Sequence, residues 1–172
     1  ALAVNEYRKG QVVEKLFANS DHLCLNSHNL GYGRAINLLI SKVHNKPQYI
    51  AILNTDLQWS QGTFQNMMNW MDIHYEISLI VPKIVRPSGQ LEMLCKRNPT
   101  VLALMSRRFI PDKLKPLFLK KYDTWYCFGD YDYNQIFEAP YLSGCCMFTR
   151  LSSFIEVGGF DERYFLYLED AD

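Results

Sequence analysis

Apolar residues in this chain recur with two alternating periods. Tyr49-Ile50-Ala51-Ile52-Leu53 is an apolar run that ends abruptly in Asn54-Thr55-Asp56. The run predicts a strand buried on both faces in the middle of a parallel sheet, with a polar tip at its carboxyl end. Open α/β sheets place their ligands at that edge, so a carboxylate there is a candidate for chemistry. Upstream, Leu2, Ala3 and Val4 predict the end of a strand with Asn5 at its tip. Val12, Val13, Leu16 and Phe17 stand at helical spacing over residues 11–18, and residues 22–25 read as a short strand. Ala35, Ile36, Leu38, Leu39 and Val43 predict a second helix, broken at Lys46-Pro47. The resulting order, β-α-β-α-β, predicts a parallel sheet with right-handed crossovers.

The pattern continues downstream. Ser60 is the expected N-cap of a helix whose apolar face is Phe64, Met67, Met68, Met71 and Tyr75. Residues 77–85 read as a strand weakened by Pro82. Pro87-Ser88-Gly89 is a turn, and residues 91–95 return as a short strand. After Asn98-Pro99, apolar residues alternate with cations, predicting one or two amphipathic helices broken by Pro111. Residues 122–133 read as an aromatic, acidic loop. Residues 137–142 lead into residues 143–150, which read as a strand after a glycine, followed by a short helix at 152–156.

Composition narrows the class. With 172 residues, 48% of them apolar and 14% aromatic, the chain can bury a core and is not disordered. No apolar run is long enough to span a bilayer, and the first residues carry no basic start followed by an apolar block. The chain opens without Met and stops in mid-pattern at Asp172, which predicts a piece of a longer protein. Cys24, Cys95, Cys127, Cys145 and Cys146 have no zinc-ligand spacing and read as reduced thiols of a cytosolic protein. His22, His28, His44 and His74 form no ligand pattern. Net charge is zero but segregated. Eight Lys or Arg against Asp112 give +7 over residues 96–121, and ten Asp or Glu against two Arg give −8 over residues 122–172. The basic block reads either as a solvated helical face or as a face for anionic lipid or a phosphate-bearing acceptor. The neutral-to-acidic remainder argues against a nucleic-acid groove.

Three features could carry chemistry. One is Asp56 at its strand tip. A second is Asn29-Leu30-Gly31-Tyr32-Gly33 before a helix, where glycines let backbone approach a ligand and a helix N-terminus favours anions. No Gly-Lys-Ser/Thr follows, so this is not a P-loop. The third is Glu169-Asp170-Ala171-Asp172, which taken alone could be helix caps.

In order and spacing these features resemble family 2 glycosyltransferases of the GT-A fold. The resemblance rests on Asn29-Leu30-Gly31 with Asn37 downstream, on Ile52-Leu53-Asn54-Thr55-Asp56, and on Leu142 to Phe148. It rests most specifically on Gly158-Gly159-Phe160-Asp161-Glu162 and Tyr164-Phe165-Leu166-Tyr167-Leu168-Glu169-Asp170. The branch most similar is that of the rhamnosyltransferase-like enzymes of bacterial surface polysaccharide synthesis.

The resemblance implies a single, partial GT-A domain over residues 1–172. Residues 1–95 would be a nucleotide-sugar-binding half and residues 96–172 an acceptor-side half. The implied activity is inverting transfer of a sugar, rhamnose in that branch, from a nucleotide-diphospho-sugar to a saccharide or polyprenyl-linked saccharide. The enzyme would sit in the cytoplasm, peripherally against an anionic membrane. Asp56 would be the metal ligand, for Mg²⁺ or Mn²⁺. Asn5, Asn29, Gly31, Asn37, Asn54 and Asp56 would meet the donor, and Gly144 and Asp161 would lie on the acceptor side. Asp170 would be the general base, Glu169 would orient the acceptor, and Asp172 is the alternative base. Asn54-Thr55-Asp56 departs from the Asp-x-Asp of many relatives, leaving one carboxylate for the metal. The competing readings are an inactive sugar-nucleotide-binding module of the same fold and a nucleotidyltransferase. The latter would want a Gly-rich, basic loop on its first strand. Geometrically, the enzyme reading requires Asp56 and Asp170 to face one cleft.

Overall fold

The computed structural model describes residues 2–4, 23–166 and 168–170. Asn5, Asp172 and the helix expected over residues 11–18 lie outside the described residues. Strands β1 (Leu2–Val4) and β2 (Leu23–Leu25) pair in parallel. The helix after the glycine loop, α1, spans Tyr32–Ser41, and β3 spans Tyr49–Leu53. Helix α2 (Thr63–Ile73) follows, then β4 (Leu79–Ile80).

The stretch expected as one strand over 77–85 is split around Pro82. Its second piece, β5 (Ile84–Val85), turns back through residues 87–89 into β6 (Leu91–Glu92), and the two pair antiparallel. Short β7 (Cys95–Lys96) precedes α3 (Val101–Phe109) and α4 (Leu117–Tyr126). Thus part of the expected 122–133 loop is helix. β8 (Tyr141–Leu142), β9 (Cys146–Arg150) and α5 (Leu151–Glu156) complete the order. The N-cap of α2 is Gly62, at φ 84, rather than Ser60. Ser60 instead offers its carbonyl to the Thr63 N–H and hydroxyl.

The chain is α/β, but a mostly parallel sheet is not what the described residues show. The main sheet has the order β3-β9-β4, and β9 runs antiparallel to both neighbours. β3 and β4 therefore point the same way, as a strand–helix–strand crossover requires. β9 arrives from a long excursion through residues 81–140 and inserts between them. β3 meets its full five-residue register on β9 alone among the described residues, from Tyr49 opposite Arg150 to Leu53 opposite Cys146. Its burial is one-sided at Ala51, which is exposed. The run was expected to be buried on both faces, and small Ala51 is the position where that fails.

Helices cover both faces of this sheet. On one face Ile52, Met147, Phe154 and Phe160 form a core joined by Ile36 and Ile40 of α1. On the other, Phe148 packs with Met67 and Met71 of α2, flanked by Tyr49 and Phe64. The alternation Ile50/Ile52 against Tyr49 follows the two-residue period of a strand. Arg150 ties the layers. Its guanidinium donates to the carbonyls of Met71 and Ile77 and to the Tyr49 hydroxyl, satisfying carbonyls at the end of α2. A third, smaller core of Ala103, Tyr126 and Cys127 lies between α3 and α4.

Candidate active site

The site grows from the break between β8 and β9. The backbone of residues 143–145 leaves the strand pattern there, and three other segments converge on it. The Asn54 N–H donates to the Cys145 carbonyl at 2.9 Å, which fixes the 54–56 tip of β3 against this break. The Tyr32 hydroxyl, from the start of α1, donates to the Gly144 carbonyl at 2.7 Å. The Gly144 N–H donates to Asp170 Oδ2 at 2.7 Å, and the Tyr141 hydroxyl donates to Asp170 Oδ1 at 3.0 Å. Each Asp170 oxygen thus accepts one bond and keeps a further lone pair.

Gly144 is small for a reason. A Cβ there would sit 3.1 Å from Asp170 Cβ and 3.3 Å from Oδ2. Glycine at this point lets the two motifs meet without pushing Asp170 back by a few tenths of an ångström. Lys96, opposite Tyr141 in the β7–β8 ladder, lays its ammonium 4.4 Å from the Tyr141 ring centroid. Burial lowers the Lys96 pKa, and the nearby Asp170 carboxylate partly restores it.

Electrostatics locate both candidate carboxylates. Burial pushes the Cys145 thiol up, and Asp56 and Asp170 both add to the rise. Both carboxylates thus lie within electrostatic reach of one side chain. Burial likewise raises the Tyr32 hydroxyl well above its ordinary value, with Asp170 and Glu169 next in effect. Tyr141 is raised by burial and then by Asp170. These phenols stay protonated and remain donors to the site.

Asp56 is exposed, and no hydrogen bond or ion pair among the described residues engages its carboxylate. A hard, uncommitted oxygen donor fits a Mg²⁺ or Mn²⁺ ion that takes its other ligands from phosphates and water. Among the described residues no three His, Cys, Asp or Glu cluster as a metal-holding group, so Asp56 would be the sole described protein ligand.

Glu169 is 8% exposed, and its Oε2 has no hydrogen-bond partner among the described residues. Its Cβ lies against Gly33 of α1. Residues 165, 166 and 168–170 are bends and turns, and Leu168 has φ 69.

Asn29, Gly31 and Asn37 of the expected donor side, and Asp161 of the expected acceptor side, make contacts within the scaffold. Asn29 Oδ1 accepts the Gly31 N–H at 3.0 Å. Gly31 takes φ 81 and ψ 175, a region open essentially to glycine alone. Beyond it, the Tyr32 N–H donates to the Phe165 carbonyl at 3.3 Å. The N-terminus of α1 thus receives the backbone of the acidic block. Asn37 donates to the Phe160 carbonyl at 2.8 Å and accepts the Phe160 N–H at 3.0 Å, clamping the glycine loop to α1. Asp161 is held below the usual carboxylate range by Arg163, whose Nε donates to it at 2.7 Å.

Sequence reasoning passed over Tyr32, Tyr141, Cys145 and Lys96. Tyr32 lay inside a quoted motif and Tyr141 directly before one, but an aromatic beside a glycine carries no signal of its own.

A cleft of about 570 Å³ reaches the break at Ser143 and Cys145, although neither Asp56 nor Asp170 lines it. Trp70, Ile77, Tyr133 and Phe137 are also among its lining residues.

Comparison with known proteins agrees with the motif reading. The model of the glycosyl transferase family 2 matches residues 10–158. The chain belongs to that family. Two relatives, from Mycobacterium tuberculosis strains CDC 1551 / Oshkosh and ATCC 25618 / H37Rv, are each an N-acetylglucosaminyl-diphospho-decaprenol L-rhamnosyltransferase. Each is 28% identical over 155 residues, covering 84% of this chain and 48% of the relative. The chain thus spans about half the length of the curated relatives it matches. No solved structure matches it.

Proposed function

We propose that the protein carrying this chain is an inverting glycosyltransferase of cell-surface polysaccharide synthesis. It would move a sugar, rhamnose by analogy with the named relatives, from a nucleotide-diphospho-sugar to a polyprenyl-linked saccharide. One observation carries the reading most strongly. In a family 2 chain, Asp170 is held by two donors beside Gly144 and Cys145, and the Asn54 N–H fixes the strand tip bearing Asp56 to the Cys145 carbonyl.

The chemistry follows from that arrangement. An acceptor hydroxyl attacks the anomeric carbon from the face opposite the diphosphate. The new C–O bond forms as the bond to the phosphate oxygen breaks, and its electron pair leaves with the nucleoside diphosphate. The hydroxyl proton passes to Asp170, whose oxygens each retain a lone pair for it. Attack from the opposite face inverts the anomeric centre. Asp56 would hold a Mg²⁺ or Mn²⁺ ion, whose contribution is to offset charge growing on the departing diphosphate. The unpartnered Oε2 of buried Glu169 would accept a second hydroxyl of the acceptor, orienting it. The cleft that includes Cys145 would receive the acceptor saccharide, with Trp70 and Phe137 among its walls. Residues 1–95 would then serve mainly the donor and residues 96–172 mainly the acceptor. No described helix is long and apolar enough to cross a membrane. The protein would work in the cytoplasm and meet its lipid-linked acceptor at the membrane surface.

The test uses the full-length protein with a panel of nucleotide-diphospho-sugars, a lipid-linked saccharide and Mg²⁺, scored by nucleoside diphosphate release. Release from one donor, abolished by a chelator and weakened by Asp56→Ala, is the expected outcome. Donor binding without release under any combination would favour an inactive binding module.

A further inference from the structure

Helices α3 and α4 leave most of their large apolar side chains exposed. A helix on a soluble protein buries its apolar residues and exposes its polar ones. Here the inward positions of α3 include Ala103 and Ser106, and Ser106 is only 2% exposed. The Ser106 hydroxyl donates to Asp123 of α4 at 3.2 Å. Asp123 also receives Lys115 Nζ at 2.6 Å, and Lys115 reaches Asp112 at 2.8 Å. This polar network lies between the helices beside the small core of Ala103, Tyr126 and Cys127. On the outside stand Val101 at 79% exposure, Leu114 at 75%, Leu117 at 70%, and Phe109 and Phe118 at 67% each. The inward face of α4 is the heptad set 119, 122, 123 and 126, so Leu117 and Phe118 are left to face away from the fold.

The cations sort the same way. Of the eight in residues 96–121, Lys96 lies over Tyr141 and Arg97 packs on Trp125 and Phe128. Arg107 reaches the Cys127 sulfur, and Lys115 is buried in its ion pairs. Arg108, Lys113, Lys120 and Lys121 remain exposed beside the outward apolar residues. In this segment the sole carboxylate, Asp112, is already paired with Lys115. Large apolar side chains rimmed by uncompensated cations match an anionic bilayer. Apolar tips reach the acyl boundary while long basic chains keep their heads among lipid phosphates.

We propose that helices α3 and α4 form a docking hairpin that lays its outer apolar face into the headgroup region of an anionic membrane. At about 14 and 15 Å long, the two helices suit lying in the interface rather than crossing it. The hairpin stands on the site. The Arg97 N–H donates to the Tyr126 carbonyl at its base. The preceding Lys96 pairs with Tyr141, the residue that holds Asp170. Docking would therefore bring the site to the surface where a lipid-linked acceptor presents its sugar. This last step rests on the proposed function, whereas the docking itself does not.

The experiment is vesicle sedimentation of the full-length protein, on phosphatidylcholine alone and on phosphatidylcholine mixed with phosphatidylglycerol. Wild type should partition to the anionic vesicles at least about tenfold better than to the neutral ones. The triple variant Phe109→Gln/Leu117→Gln/Phe118→Gln should lose on the order of tenfold or more of that binding. The variant Arg108→Glu/Lys113→Glu/Lys120→Glu/Lys121→Glu should lose the preference for anionic lipid. Both should keep the wild-type melting temperature, because these side chains support no core. Wild-type-like vesicle binding by the triple variant overturns the proposal. So does a marked fall in its melting temperature without vesicle binding by wild type, which would mean that another part of the protein covers the face. Concentration-dependent dimerisation abolished by the triple variant, again without vesicle binding, would assign the face to a second copy instead. Vesicle binding without turnover on any donor would refute the enzyme reading and leave the docking hairpin standing.

Discussion

Gly144→Ala probes the geometry on which the proposed chemistry depends. Gly144 is not among the residues of positive φ, so alanine fits its backbone and any effect must act through space. The new methyl would lie 3.1 Å from Asp170 Cβ and 3.3 Å from Oδ2. Apolar carbons rest at about 3.5–4.0 Å, so Asp170 must retreat by several tenths of an ångström. The same movement stretches the 2.7 Å bond from Gly144 N–H to the carboxylate. A hydrogen bond to a charged group contributes about 1.5–3 kcal/mol, and losing half of it removes about 1 kcal/mol. Misplacement of a reacting group by about 1 Å can cost a hundredfold, so a fraction of that displacement predicts roughly a tenfold loss. We expect kcat of the full-length protein to fall on the order of tenfold, with donor affinity within about twofold of wild type. Steady-state nucleoside diphosphate release and calorimetric donor binding read the two quantities separately. A kcat within about twofold of wild type would refute the assignment of Asp170 to the reacting centre.

Three further outcomes follow from the scaffold. Gly31→Ala imposes a side chain where φ is 81 and would drive it into the Phe165 carbonyl oxygen. It should cost about 3 kcal/mol or more and release the 165–170 segment, seen as a lower urea midpoint together with lost turnover. Asn37→Ala removes both hydrogen bonds to the Phe160 backbone and should cost about 2–3 kcal/mol in the same assay, and an unchanged midpoint would contradict the clamp. Burial pushes the Cys146 thiol up to about 11 from 9.0, and it raises Cys145 and Cys95 in the same direction. The unfolded chain releases these protons from near pH 9 while the folded chain keeps them. Stability is therefore full below about pH 9 and falls as pH rises toward about 11, by on the order of 2 kcal/mol for Cys146 alone. A urea midpoint flat across that range would contradict the burial of these thiols.

Much of this was legible in the chain itself. Helices α1 and α2 and strand β3 announce themselves by period, because each buries a regular stripe or run. Pro82 split its strand as a missing N–H must. The strand expected over residues 143–150 is real only from Cys146 on, as β9, and no periodicity says which way a strand runs, so its insertion against β3 and β4 was not foreseen. Cation counts misled for a related reason. Lys115 reads as surface charge in the sequence, yet Asp112 and Asp123 draw it inside. The carboxylates of the site were legible as motif residues. Their holders were not, because Tyr141 and Tyr32 act through hydroxyls placed by tertiary structure, 29 positions from Asp170 and 112 positions from Gly144.

The central claim is that Asp170 takes the proton of the acceptor hydroxyl. Asp170→Asn keeps the shape: its amide oxygen can accept the Gly144 N–H, and its NH₂ can meet the Tyr141 oxygen. Only the basicity is lost. Single-turnover sugar transfer by the full-length variant, measured beside calorimetric donor binding, should fall by about 10²–10⁴-fold while donor affinity stays near wild type. Transfer at the wild-type rate would contradict the claim.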